Sequence, residues 1–377
     1  MFVIGLQRGM VTAAIPLFGR DLGASFSLVG LILATGGFTK LAMEVPTGFL
    51  SDRFGGKPLM SGGMATLLVS ALIAALAQNP YHLILSRLVG GAGEGLIYTS
   101  GWIILLAEIA PADKRARYTS YYVLSTHAGS ALGKFVGGLV GDMYGLRIPF
   151  FIQFGTMLGC LFLIHFTISE ELIRRDTHAT SKTELLEAAK KFFMNKRVVL
   201  AGCVPILVAF ILIGLNDTAV PLYGEERGLS VAEIGSVLSI GEVAYLLILV
   251  WSGSMADKFG RTKSLIFGFI LSAASGYAFT FTDEFSSISI AQALLMISFA
   301  IIDPAYMPFL LDISGSQRSG TQIGFYRCFW DIGSIISPVL LGLLFEDFGI
   351  SSPFLFVGTL CLGAAVVLAS VNHFKLI

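Results

Sequence analysis

Charge is what this sequence has least of. Only 13% of its 377 residues are Asp, Glu, Lys or Arg, against 55% hydrophobic. A soluble domain carries about a quarter of its residues as charges, so most of this chain's surface must face something other than water. The few charges cancel to a formal net of zero, which removes the basic excess that a nucleic-acid partner would require. Cysteine is scarce too. Cys160, Cys203, Cys328 and Cys361 each sit in an apolar run, without CxxC or metal-ligand spacing, and read as small apolar residues of helices. No His, Cys and Asp constellation suggests a metal or a nucleophile, so neither enzyme activity nor a cofactor is expected. Amides are few, with four Asn and six Gln. Met1 opens directly on an apolar segment broken by Arg8, and no cleavable leader is visible.

Long apolar runs are what the chain has in abundance. A helix needs about 20 mostly apolar residues to cross the hydrocarbon core. Twelve segments qualify, near 1–19, 26–49, 59–78, 81–107, 118–141, 147–168, 198–222, 231–253, 264–282, 286–311, 320–344 and 350–371. With connections often under ten residues, they cannot all be packed inside a soluble chain of this length. The expected fold class is therefore an all-α membrane protein with 12 transmembrane helices. If the N-terminus is cytoplasmic, the inside loops and tail hold 17 Lys and Arg. The outside loops then hold Arg20, Arg147 and Arg227. That asymmetry favours cytoplasmic N- and C-termini.

The chain also repeats itself. "GFLSDRFGGK" (48–57) returns as "GSMADKFGR" (253–261), with Asp257 in the place of Asp52, 205 positions later. "PLF" at 16–18 matches "PLY" at 221–223, and Gly23, Ser25 and Gly30 fall on Gly228, Ser230 and Gly235 at the same offset. With one residue dropped, "GSALGKFVGG" (129–138) overlays "GSIISPVLLG" (333–342). The expected organisation is two parallel six-helix halves, 1–168 and 198–377, joined by a cytoplasmic linker at 169–197. In that linker "SKTE" (181–184) reads as a capping box. Leu185, Leu186, Ala189, Phe192 and Phe193 then form an apolar stripe, which suits a helix on the inner membrane face or a solvated linker.

The phrase G-x-L-S-D-R-x-G between the second and third spans, its copy between the eighth and ninth, and "RLVGGAGEG" (87–95) in the fourth resemble the motifs of the major facilitator superfamily. The motif style is closest to that family's drug/proton antiporter-like branch. The resemblance covers the whole chain and implies secondary transport by alternating access. It implies a cytoplasmic gating motif at Gly48, Asp52, Arg53, Gly55, Lys57, Asp257, Lys258, Gly260 and Arg261. Asp52 ends a helix that runs outside to inside. A carboxylate at a helix C-terminus opposes the dipole by about 0.3–1 kcal/mol unless something offsets it. In the family that aspartate meets the start of helix 11, near Gly320, and by the repeat Asp257 meets the start of helix 5, near Tyr118. A loop that merely sets topology by its positive charge is the plainer alternative.

Ionisable residues inside spans cost about 2.5–3.5 kcal/mol each at the bilayer centre, so each is a functional candidate. The proton-coupling or substrate candidates are Arg87, Glu94, Asp217, Asp303 and Arg8, with Arg87 foremost because the family uses the arginine of this motif in proton coupling. A second set, Lys40, Glu44, Arg327, Asp331, Lys134 and Glu242, suggests intramembrane charge pairs. By depth, Glu44 matches Arg327, Lys40 matches Asp331, and Lys134 matches Glu242. Lys40 and Glu44, or Arg327 and Asp331, are also spaced i,i+4 and could pair within their own helices. His127 and His165 read as core residues. Lys134 stands where the antiporter branch has proline; that proline occurs instead as Pro338.

The combined expectation is a monomeric, multi-pass transporter of the cell membrane, driven by a proton or ion gradient. Its substrates would be small lipophilic or cationic organic molecules, and the direction export. An uptake permease for sugars or organic acids is the alternative on the same fold. A membrane sensor or a membrane-embedded enzyme is more remote.

Overall fold

The computed structural model describes residues 1–54, 56–104, 115–167, 190, 192, 194–314 and 320–373. Side chains at 44, 45, 48, 49, 51–54, 56, 98–104, 115–117, 119, 164, 167, 197, 314, 320–324 and 371–373 lie outside that description. Among the described residues the regular structure is all helical. The helices are α1 (Phe2–Asp21), α2 (Phe26–Phe54), α3 (Gly56–Ala75), α4 (Pro80–Ile104), α5 (Arg115–Tyr144) and α6 (Ile148–Thr167). They continue with α7 (196–226), α8 (Val231–Phe259), α9 (Arg261–Phe279), α10 (Phe285–Ser314), α11 (Gly320–Phe348) and α12 (Ser352–His373). Closed helices of this length are what a chain in lipid must form, because lipid offers no partner for a bare N–H or C=O.

Over the described residues, eight of the twelve are long and apolar enough to cross a membrane by composition alone. Of the other four, α4, α5 and α9 are diluted by charges, namely Arg87 and Glu94, Lys134, and Arg261 with Lys263. α6 holds no Asp, Glu, Lys or Arg along Ile148–Thr167, and its continuous run of described side chains is Ile148–Leu163. Large apolar side chains such as Phe162, Leu247, Trp251 and Val367 are more than half exposed, as suits surfaces that meet acyl chains.

The chain divides into two compact units, Met1–Ala179 and Thr180–Ile377. In the first, α1 packs along α5, α4 packs against α2 and α3, and α3 against α6. The second repeats this with α7 on α11, α10 on α8 and α9, and α9 on α12. The repeat reaches individual hydrogen bonds. Gly23 and Gly228 both take positive φ, 89° and 77°, where the first helix of each unit ends. Gly145 and Gly349 do the same at 93° and 88°. Ser25 Oγ accepts from Leu28 N at 3.3 Å, and Ser230 Oγ accepts from Glu233 N at 3.2 Å within a full capping box.

Glycines let the paired helices touch backbone to backbone. A Cβ on Gly137 of α5 would lie 2.7 Å from Met10 Cα, and one on Gly129 2.8 Å from Leu6 N. Contacts that climb α1 and α5 together mean that the two run parallel. In the second unit a Cβ on Gly333 would lie 2.7 Å from Ile206 O, the same kind of contact between α11 and α7.

The seventh span departs from the plain helix that hydropathy suggests. It runs as Lys196–Ala201, Cys203–Ala209, a π-helical stretch Phe210–Ala219, and Val220–Glu226. Within the π-helical part Thr218 Oγ1 donates to Ile213 O, five residues back, at 2.7 Å. Such wide turns are uncommon and collect at functional sites. Of the linker stripe, Phe192 is described and buried. Its ring lies 5.0 Å from those of Phe325 and Tyr326 on α11, so it packs on protein. Leu185, Leu186, Ala189 and Phe193 lie outside the described residues.

Candidate functional site

In the first unit the polar centre is built on glycine. α4 carries Gly90, Gly91, Gly93 and Gly95, and two of its neighbours press into the grooves they leave. A Cβ on Gly90 would meet Ser70 Oγ of α3 at 2.7 Å, and one on Gly95 would meet Lys40 O of α2 at 3.0 Å. Close approach lets Arg87 lay its guanidinium on bare α2 backbone: a Cβ on Gly36 would fall 2.5 Å from an Arg87 Nη and 2.8 Å from its Cζ. From there Arg87 Nη1 reaches Glu94 Oε1, two turns along the same helix, at 3.4 Å. Arg87 Nε is buried and has no hydrogen-bond partner among the described residues. The pair is partly accessible, 20% and 24%. A half-buried charge pair at the loose end of hydrogen-bond range can exchange one partner cheaply, unlike a tight buried pair.

The second unit holds two polar groups among apolar spans. Nearer the α7–α8 turn, Asn216 Nδ2 donates to Asp217 Oδ1 at 2.6 Å, and Gln292 Nε2 of α10 donates to Asn216 Oδ1 at 2.6 Å. Asn216 and Gln292 are fully buried. Deeper in, Tyr245 OH of α8 donates to Asp303 Oδ2 of α10 at 2.9 Å. Tyr245 stacks on Phe299 with centroids 5.3 Å apart, and Tyr306 stacks on Trp330 at 6.3 Å. Asp303, Arg327 and Asp331 lie within electrostatic reach of the Tyr306 hydroxyl, and Glu242 within reach of Tyr245. Acids, phenols and aromatic faces therefore converge from α8, α10 and α11.

Of the charge-pair candidates, Lys134 and Glu242 are buried at 3% exposure and Asp331 at 1%. Lys40 and Arg327 are half-buried, and Arg8 is exposed. The side chain of Glu44 lies outside the described residues. Of the gating phrase, Gly48, Asp52 and Arg53 fall on the last turns of α2, with their side chains outside the description, and Gly55 is not described. Lys57 Nζ donates to His165 O at 3.3 Å. In the second copy Asp257 and Lys258 are exposed at the end of α8, and Gly260 turns the chain into α9 with φ of 92°. Arg261 clamps the end of α10, donating to Pro308 O at 3.3 Å and to Asp312.

Sequence reasoning singled out the ionisable members of these groups and missed the neutral ones: Gly36, Asn216, Tyr245, Gln292, Tyr306 and Trp330. A signal did exist. At the repeat offset of 205, Gly36 falls on Gly241 and Arg87 on Gln292. The structure shows the same contact there, since a Cβ on Gly241 would lie 2.7 Å from Gln292 Nε2.

The family model for the Major Facilitator Superfamily matches residues 1–216 and 206–374. Quinolone resistance protein NorA of Staphylococcus aureus (strain COL) is 26% identical over 380 residues, covering 99% of this chain and 95% of that protein. Multidrug resistance protein 2 of Bacillus subtilis (strain 168) is 24% identical over 366 residues, covering 95% and 90%. Among solved structures, the nucleoside transporter NupG superposes with TM-score 0.75 at 16% identity, covering 98% of this chain and 96% of that one. The inward-open xylose transporter XylE from E. coli gives TM-score 0.74 at 18% identity, covering 97% and 93%.

Proposed function

Because the chain belongs to the Major Facilitator Superfamily, and is therefore a multi-pass membrane transporter of small molecules, we propose that it exports lipophilic or cationic organic molecules in exchange for protons. The observation that carries this reading is how two intramembrane acids are held. Asp217 accepts from an amide and Asp303 from a phenol. A neutral partner does not lock the carboxyl in its charged form as a cation would, so the carboxyl can gain or lose a proton, and the ionised form offers a counter-charge to a cation. The aromatic faces of Tyr306 and Trp330 beside Asp303 suit a planar cation. Whole-length likeness to two proteins named for drug resistance supports export over uptake.

In this reading Arg87 and Glu94 respond to the same proton, with the pair opening as Glu94 is neutralised. Asp52 and Asp257 act as gating residues at the membrane face, and the 17-to-3 basic asymmetry supports cytoplasmic N- and C-termini in the cell membrane. The protein works as a monomer, with a transmembrane proton gradient as its only driving force.

The test is efflux of a lipophilic cationic dye, ethidium, from proteoliposomes under an imposed pH gradient. Gradient-driven flux that falls to the liposome background in Asp303→Asn supports the proposal. Flux independent of the gradient overturns the coupling, and flux of sugars in place of cations overturns the substrate class. One observation favours that second reading: Asn216 and Gln292 are amides of the kind that recognise hydroxyls, and two sugar or nucleoside carriers share the fold.

A further inference from the structure

Gln292 stands where the first unit has Arg87, with its head group against Gly241 as the guanidinium lies against Gly36. Among the described residues, both leave one buried polar atom without a hydrogen-bond partner, Nε of Arg87 and Oε1 of Gln292. The two differ in what they reach. Arg87 turns along its own helix to Glu94, whereas Gln292 crosses to α7 and donates to Asn216, which in turn donates to Asp217.

That chain has a direction, and its chemistry fixes it. An ionised carboxylate can only accept, so Asn216 must present its NH2 group to Asp217. The Asn216 carbonyl is then left for Gln292, which must present its own NH2 group. The carbonyl Oε1 of Gln292 is left over at the far end, fully buried. An unsatisfied buried acceptor is costly, and native structures rarely keep one without a reason. The reverse polarity would satisfy it. A protonated Asp217 can donate its O–H to Asn216 Oδ1, whereupon the Asn216 NH2 turns to Gln292 Oε1. The orphan then moves to the Gln292 NH2 group, against Gly241. Asn216 and Asp217 lie within the π-helical stretch 210–219, and their side chains meet at 2.6 Å.

We propose that Asn216 and Gln292 are positioning residues that form a reversible amide relay. Through it the protonation state of Asp217 on α7 sets the orientation of Gln292 between α10 and α8. The inference rests on the reading of Asp217 as a proton carrier. No covalent step is involved beyond the O–H bond of Asp217, whose proton comes from and returns to water. The other titratable groups within the spans that pack around the relay are Asp303 and Tyr306 on α10, Arg327, Cys328 and Asp331 on α11, Cys361 on α12, and Glu242 and Tyr245 on α8. The described hydrogen bonds that link Gln292 to Asp217 run through Asn216.

The test is infrared difference spectroscopy of the full-length protein in proteoliposomes during a pH titration. It needs no transported ligand. The carboxyl C=O band that Asp217→Asn deletes belongs to Asp217. The relay predicts that this band shifts in frequency in Asn216→Leu and in Gln292→Leu, the second on a neighbouring helix. It also predicts that side-chain amide bands change in step with the carboxyl band in the wild type and stop changing in Asp217→Asn. If Gln292→Leu does not reconstitute, Gln292→Glu keeps the shape, replaces the donating amide, and should shift the band as well. A carboxyl band that stays in place when Gln292 is changed, or amide bands that ignore pH, overturn the relay alone. If Asp217→Asn deletes no band, the proton-carrier reading fails and takes the relay with it.

Discussion

Gly133 on α5 offers a sharp test of the packing. A Cβ added there would fall inside van der Waals contact of the Leu6 carbonyl oxygen, 2.8 Å from Leu6 C and 3.0 Å from Met10 N. Carbon contacts settle near 3.5–4.0 Å, so α1 and α5 would have to part by roughly 1 Å. All of the offending atoms are backbone, which no rotamer change can relieve. Gly133→Ala should therefore cost close to the upper end of the usual overpacking penalty, about 3 kcal/mol. Alanine recovers about 1 kcal/mol of helix propensity, which leaves a net loss of about 2 kcal/mol. Gly155 on α6 is the matched control, since a Cβ there meets nothing within 4 Å. Gly155→Ala should gain the propensity term and lose nothing. The measurement is melting temperature in detergent, with dye transport in proteoliposomes alongside. Gly133→Ala should melt several degrees below wild type and Gly155→Ala at or above it. If both variants melt with wild type, close backbone contact between α1 and α5 is not what holds the first unit together.

Other expectations follow from single contacts. Gly36→Ala would put a methyl 2.5 Å from an Arg87 Nη; the flexible arginine should move and the fold survive, so transport should fall at least about 10-fold while melting shifts by under about 1 kcal/mol. Tyr245→Phe removes the donor to Asp303 and should slow gradient-driven flux by about 5–30-fold, a hydrogen bond worth about 1–2 kcal/mol, with the stack on Phe299 kept. Tyr223 is buried and its hydroxyl reaches Phe279 O and Thr282 O at 2.7 Å where α9 ends. Tyr223→Phe should therefore cost about 1–3 kcal/mol of stability in chemical denaturation and leave flux per folded molecule unchanged. Arg261→Gln breaks a partly exposed clamp on Asp312 and should cost under about 1 kcal/mol.

Much of the architecture is legible without coordinates because lipid imposes it. A backbone that must satisfy itself in hydrocarbon leaves only helices of known length, so apolar runs read directly as spans. The family motifs and the 205-residue offset are equally plain in the residues. They anticipate paired details such as the positive-φ glycines Gly23 and Gly228. The ionisable candidates were found for the same reason, because a charge such as Arg87, Asp217 or Asp303 is conspicuous where charges are costly.

Rotation about each helix axis is another matter. In water a helix betrays its inner face by its apolar stripe, but a helix in lipid is apolar all round, so nothing in α4 says that Arg87 lies on Gly36. Neutral polar residues carry no charge to flag them: Asn216, Gln292 and Tyr245 cost little to hide once bonded, the repeat offset points to Gln292 alone, and only packing reveals that they are bonded to each other or to an acid. The π-helical turn of α7 is invisible for a related reason, since one extra residue per turn changes neither length nor hydropathy. Sequence alone thus determined that this chain crosses the membrane in two repeated halves and where its charges sit along each span. Tertiary structure decided which of those charges, amides and phenols touch, because that depends on how close the glycines let the helices come and on which way each helix is turned.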